Sequence, residues 1–228
     1  MSVNLGVLDG IAIYKQVNYE AHDLPTPYTV ALTGDNNYRN VSIPFPFPFW
    51  GLGPFSNCYV CTNGFITFQN YYSSHVNSES RMKSRLMIAP FWDDLVTRGN
   101  HVRTDTFLGP DRFVIDWDTY RHGRSADRAR FQVVLYRSGL IRFNYIDFSY
   151  RDHFTPTIGV GRGINTVTLD LVSTAVDTIG PSIPFYHKTQ DIIQGSWPNW
   201  TRTTVRVDPP ILDIRDEKSY EIYLIWSE

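Results

Sequence analysis

The residues able to do chemistry are few. Cys58 and Cys61 stand in a C-x-x-C spacing, which suits dithiol redox chemistry or half of a zinc site. Asp93 and Asp94 follow Phe91-Trp92, and clustered carboxylates suit a hard cation such as Ca2+. The stretch Arg121-His-Gly-Arg-Ser-Ala-Asp-Arg-Ala-Arg130 carries Arg121, Arg124, Arg128 and Arg130 against one aspartate. Such a run suits an acidic neighbouring subunit, a phosphate or an anionic glycan. Trp197 and Trp200 flank Pro198-Asn199, as an interface anchor, a sugar-stacking platform or a cover over an open end of the fold would require.

Each of these has a plain structural counterpart. Residues three apart on a strand point to opposite faces, and no second Cys or His pair stands near. Cys58 and Cys61 are therefore expected to be buried free thiols rather than a metal or redox pair. An Asp in the turn after a buried strand accepts backbone N–H bonds, so turn chemistry at Asp93 and Asp94 stands beside Ca2+ as a weak metal candidate. The arginine stretch lies between two expected strands and reads as a long, exposed, basic loop. Asn40-Val-Ser42 and Asn199-Trp-Thr201 match the glycosylation sequon, which has meaning only on a eukaryotic secretory route. No G-x-S-x-G, H-E-x-x-H or P-loop is present. His22, His75, His101, His122, His153 and His187 are scattered without ligand spacing. The sequence reads as non-enzymatic, with no cofactor beyond a structural Ca2+.

The elements that must position these residues are strands. The 228 residues suit one large domain, and 42% apolar content supplies a core. A net charge of -2 excludes a generic nucleic-acid binder, and the apolar content excludes a disordered chain. No run is long and apolar enough for a membrane helix. Tyr59–Phe68 reads as strand, Asn63-Gly64 turn and strand, the turn supplying positive φ angles. Further strands are expected at 112–117, 130–136, 140–145, 157–161, 167–172, 203–207 and 220–226, with Ser138-Gly139 as a turn. Phe45-Pro-Phe-Pro-Phe-Trp50 alternates Phe with Pro, as an edge strand that buries one face and refuses a further neighbour would. Only 78–86 has a helix-tolerant composition. Short aromatic and β-branched strands set apart by Gly, Asn, Pro and Asp mean an all-β sandwich or barrel.

The order of these segments resembles the nidogen-like (NIDO) family. The resemblance rests on Val41–Gly51, the hairpin Cys58–Phe68, the block Ile88-Ala-Pro-Phe-Trp-Asp-Asp-Leu95, the strand Asp111–Trp117, Phe131-Gln-Val-Val-Leu-Tyr136, Gly139–Tyr145 and Thr157-Ile-Gly-Val-Gly161. It covers roughly 120 residues, and similar domains are scattered through bacterial surface and virus-encoded proteins. The resemblance implies an antiparallel β-sandwich used in adhesion and assembly, with no catalytic residues to carry over. This chain departs from the animal members in having only two Cys. Met1 is followed by Ser-Val-Asn-Leu-Gly, with neither a basic start nor an apolar stretch of signal type, so use without secretion, or a mature fragment with an added Met, is expected.

The expected architecture is a nidogen-like sandwich core at 41–180, an N-terminal arm or edge strands at 1–40, and a C-terminal extension at 181–228 ending in a strand. The expected function is a structural protein of a virion, made in the host cytoplasm. It would be a phage capsid decoration or cement protein, or a tail or vertex protein, acting through contacts with neighbouring subunits as a homo-oligomer or hetero-complex. Arg121, Arg124, Arg128 and Arg130 would make polar contacts, and Trp197 and Trp200 apolar ones. The alternatives are an extracellular adhesion module of a cell-surface protein and a carbohydrate- or receptor-binding module, with a host-surface glycan or receptor as partner.

Overall fold

In the computed structural model, residues 11–24, 30–50, 52–99, 101–105, 111–149 and 153–163 and the strands at 174–176, 193–196, 199–202 and 218–225 are described. The strands are β1 Ile11–Val17, β2 Val30–Leu32, β3 Tyr38–Phe47, β4 Phe55–Cys61, β5 Phe65–Thr67, β6 Leu86–Trp92, β7 Leu95–Val96 and β8 Val102–Asp105. They continue as β9 Arg112–Arg121, β10 Arg128–Tyr136, β11 Ile141–Phe148, β12 Thr157–Arg162, β13 Thr174–Val176, β14 Ile193–Ser196, β15 Asn199–Arg202 and β16 Lys218–Ile225. One short helix, α1 Glu79–Lys83, lies inside the stretch where helix was expected, with the Ser78 side chain accepting from the Arg81 N–H at its start.

Two antiparallel sheets form the sandwich. The eight-stranded sheet runs β1-β16-β11-β10-β9-β8-β2, with β7 also on β9, and the six-stranded sheet runs β13-β12-β6-β5-β4-β3. Strands β14 and β15 form a separate pair. The ends of the chain meet in the first sheet, where Ile11 pairs with Ile225 and Val17 with Ser219. Strand β16 therefore sits inside that sheet, between β1 and β11, and its Ile222 is part of the core. Strands β1 and β2, from the first 40 residues, occupy the sheet's opposite margins. The strands expected at 167–172 and 203–207, and Trp226, lie outside the described residues.

Alternation decides what each sheet faces. In β3, Val41, Ile43, Phe45 and Phe47 are buried, while Ser42, Pro44 and Pro46 are exposed, and the strand is an edge as its prolines imply. The core between the sheets is strongly aromatic. Trp117 stacks on Phe131 at 5.3 Å, and Phe91 meets Phe131 and Phe148 at 5.2 and 5.0 Å. Burying each such side chain stabilises the fold by roughly 2–3 kcal/mol. Two aromatics with polar tips reach across to the other sheet. Trp117 Nε1 donates to the Cys61 carbonyl and the Tyr145 hydroxyl to the Pro90 carbonyl, both at 2.8 Å.

The hairpin between β4 and β5 differs in detail from the expected two-residue turn. Cys61 pairs with Phe65, so the turn holds Thr62, Asn63 and Gly64, and of these only Gly64 has a positive φ, at 81°. This is the three-residue type, in which one left-handed glycine suffices.

Candidate functional site

The C-x-x-C cysteines are free and buried, and they face opposite ways. Cys58 joins the core between the sheets; Cys61 joins a second cluster on the outer face of the six-stranded sheet, with Phe65, Met82, Met87, Ala89 and Trp92. Burial pushes the Cys58 thiol far above its ordinary range and Cys61 up to about 12. Neither is poised as a thiolate nucleophile or a metal ligand.

Asp93 is buried and both its oxygens are taken. Oδ1 accepts the Asp94 N–H and Oδ2 the Thr155 N–H, each at 2.8 Å. Burial raises its pKa, with these two donors and the Arg121 charge opposing the rise. This is the turn chemistry that stood beside Ca2+ in the sequence. The Asp94 carboxylate lies outside that arrangement, 3.8 Å from His122, whose other ring nitrogen is 3.6 Å from Asp35. Among the described residues no group of three or more His, Cys, Asp and Glu side chains is placed to hold a metal ion.

The arginine stretch is not one long exposed loop. Strand β9 runs through Arg121 and β10 starts at Arg128, so the turn spans only residues 122–127. The reason is pairing. Ala129 is buried, and Arg128 and Arg130 project from a strand onto a face already lined with aspartates. Arg128 holds Asp118 through two bonds of 3.0 and 2.9 Å, and Asp147 at 2.7 Å. The Asp118 hydrogen bonds raise the Arg128 pKa above its already high ordinary value, so it stays charged. Arg130 lies 3.5 Å from Asp116. Arg124, at the turn, has 54% of its side chain exposed and a loose 3.9 Å approach to Asp127. Asp127 itself is buried and bonds His153 at 2.7 Å. Trp197 lies outside the described residues; Trp200 is in β15, paired with Gly195.

A polar row across the outer face of the eight-stranded sheet leaves no mark in the sequence pattern. Arg103, Asp116, Gln132, Asn144 and Ser219 are successive cross-strand partners on β8, β9, β10, β11 and β16. All but Arg103 are buried. Asp116 accepts from Arg103 at 3.2 Å and from Gln132 Nε2 at 2.8 Å, Asn144 donates to Gln132 at 3.3 Å, and the Ser219 hydroxyl donates to Asn144 at 2.8 Å. Residues 18–24 lie over this row. Gln132 grips the backbone of His22 from both sides, accepting its N–H at 3.0 Å and donating to its carbonyl at 2.6 Å. The Glu20 N–H donates to Ser219 at 3.0 Å, and Arg142 pairs with Glu20 and, at 2.7 Å, with Glu221. The signal is an outward polar residue at the same level on each strand, visible only once register is known.

Fold and side-chain commitments together define a two-sheet β-sandwich module whose acids, thiols and most of its strand arginines hold structure. The model of the family described as NIDO related matches residues 14–192, well over half of the chain, and the chain belongs to that family. No curated protein and no solved structure matches it. The family is of a non-catalytic module type. No helix among the described residues is long and apolar enough to cross a membrane.

Proposed function

We propose that this protein is a non-enzymatic assembly module that joins neighbouring protein subunits by adding strands at the open margin of its eight-stranded sheet. The observation that carries this is an asymmetry between two sheet edges. Strand β3 ends its sheet and carries Pro44 and Pro46, which have no N–H to donate to a further strand. Strand β1 ends the other sheet as Ile-Ala-Ile-Tyr-Lys-Gln-Val, with no proline and one charge, and no strand among the described residues pairs with its outer side. A long edge of that composition is a template for another chain, in which main-chain bonds give affinity and alternate side chains give specificity. Arg124, at the exposed turn, is the member of the arginine group best placed for a polar contact with such a neighbour.

Family membership supports a module of extracellular type. A virion component, decorating or cementing a capsid or forming part of a tail or vertex, is the finer form of the same reading. So is an adhesion module of a cell-surface protein. Both settings use repeated copies, in which weak edge contacts gain by avidity.

The test is proline at two adjacent positions of β1, Ala12→Pro and Ile13→Pro, with mass measured by light scattering across the micromolar range. Successive N–H groups point to opposite sides of a strand, so one substitution strikes the bond to β16 and the other the open side. The expected result is an oligomeric native chain, one variant monomeric with unchanged Tm, and one variant destabilised. A native chain that stays monomeric, or two variants that behave alike, sinks the reading.

A further inference from the structure

On the outer face of the six-stranded sheet, α1 and the chain before it cover β5 and β6 with Tyr72 and Met82. Beside that cover the surface turns aromatic and polar. Tyr71 is 62% exposed and Tyr38 38%, and their rings lie parallel, 4.7 Å apart. Tyr59 meets Tyr38 edge-on at 6.3 Å. Next to Tyr71 a cleft of about 420 Å³ opens between the end of β5 and the residues that follow α1, a volume within the range of small-molecule sites.

The cleft wall is built, not incidental. Tyr72 is anchored on Phe65 at 5.6 Å and on Trp92 at 5.7 Å. Arg85 lies on the Tyr72 ring, its guanidinium carbon 3.9 Å from the ring centre. One of its nitrogens, Nη1, donates to the Arg81 carbonyl at 2.6 Å and to Ser84 Oγ at 2.9 Å. These contacts fix the guanidinium plane and leave Nε and Nη2 without a partner among the described residues. No carboxylate among the described residues lines the cleft, and the amides of Gln69 and Asn70 do.

A rigid two-donor fork matches a carboxylate. An exposed flat ring matches the C–H face of a sugar, and amide groups match its hydroxyls. A bare phosphate or acidic peptide would use the fork alone and leave the ring and amides idle. We propose that this cleft binds a carboxylate-bearing sugar of the uronate or sialate class, with Arg85 on the carboxylate, Tyr71 under the ring, and Gln69 and Asn70 on the hydroxyls. The site lies on the opposite sheet from β1 and does not depend on the assembly reading.

The full chain is titrated with glucuronate and with N-acetylneuraminate, followed by saturation-transfer NMR and tyrosine fluorescence, with glucose and acetate as controls. At least one acidic sugar is expected to bind with a Kd of about 1 mM or tighter and to be saturated through its ring protons. Glucose and acetate are expected to bind at least about tenfold more weakly. Tyr71→Ala and Arg85→Lys are each expected to weaken binding about tenfold or more at unchanged Tm. Tyr71 is mostly exposed, so its variant keeps the test decisive even where Arg85→Lys disturbs the packing on Tyr72. No binding of either acidic sugar at roughly ten times that concentration overturns the proposal. Equal binding of acetate overturns it in favour of a simple anion site, and binding indifferent to both substitutions overturns it in favour of another surface.

Discussion

Gly64 shows how closely a single residue is held in this fold. It sits at φ +81°, a conformation that L side chains rarely adopt, and a Cβ placed there would lie 1.9 Å from the Phe91 carbonyl oxygen. Both faults act together, because Phe91 belongs to the core and cannot retreat. Gly64→Ala is expected to cost on the order of 3 kcal/mol or more, read as a lower midpoint in urea with the slope unchanged. A loss below about 1 kcal/mol would mean that β6 yields at this point. The turn was legible in the sequence because its chemistry is local: glycine after asparagine between two apolar runs needs no distant partner. The role of Asn63 was not. Its side chain donates to Asn36 at 2.8 Å and to the Ser73 carbonyl at 2.9 Å, and accepts the Leu95 N–H at 3.0 Å. Those partners come from three other segments. Cys58 and Cys61 were legible for the same reason as the glycine, since their spacing alone sends them to opposite faces of a strand.

At the scale of elements, β3 and the arginine segment show what patterning reveals and what it hides. Alternating Phe and Pro identified an edge strand from composition alone, since buried Phe45 and Phe47 and exposed Pro44 and Pro46 fall on opposite faces. Replacing Pro44 and Pro46 with Thr adds two N–H donors to the edge strand β3 while leaving the core face untouched. Thermal stability is expected to change by no more than about 0.5 kcal/mol, while self-association rises, measured by light scattering beside the native chain. If association stays the same, the prolines do not guard this edge. The arginine segment shows the opposite case. Arg128-Ala-Arg130 looks like a solvated loop when its partners are unknown. Asp116 and Asp118 on β9 and Asp147 on β11 turn it into a strand whose charges are neutralised across three strands. The small residue between the arginines, buried Ala129, was the one available hint. The aromatic cleft beside Tyr71 was equally hidden, because it joins the end of one strand to the residues after a five-residue helix.

At the scale of the whole molecule, the segment 18–24 leaves β1 at one margin of the eight-stranded sheet and lies across the buried polar row on its outer face. It seals that row from water, so the stability of the sheet is coupled to how firmly the segment stays down. His22 is the titratable point of that coupling. Its Nε2 is buried without a hydrogen-bond partner among the described residues, and its pKa is lowered by burial first and then by the charges of Arg112 and Arg142, with Glu20 opposing. The folded state therefore binds a proton at His22 less readily than the unfolded chain, whose value is the ordinary 6.5. Between the folded value and 6.5 the unfolded state holds more protons, so stability falls as pH falls through that window. Above 6.5 this contribution is fully present; below the lowered folded value it is gone. The expected outcome is a Tm that drops on acidification through the histidine range, together with faster amide exchange at Gln132 and Asn144, whose side chains the segment covers. His22→Gln keeps the backbone bonds to Gln132 and removes the titration, so it should flatten that part of the pH slope and leave the remainder. Equal slopes in the native chain and the variant would show that other groups carry the whole dependence. They would also show that the segment stays in place whether or not His22 is charged.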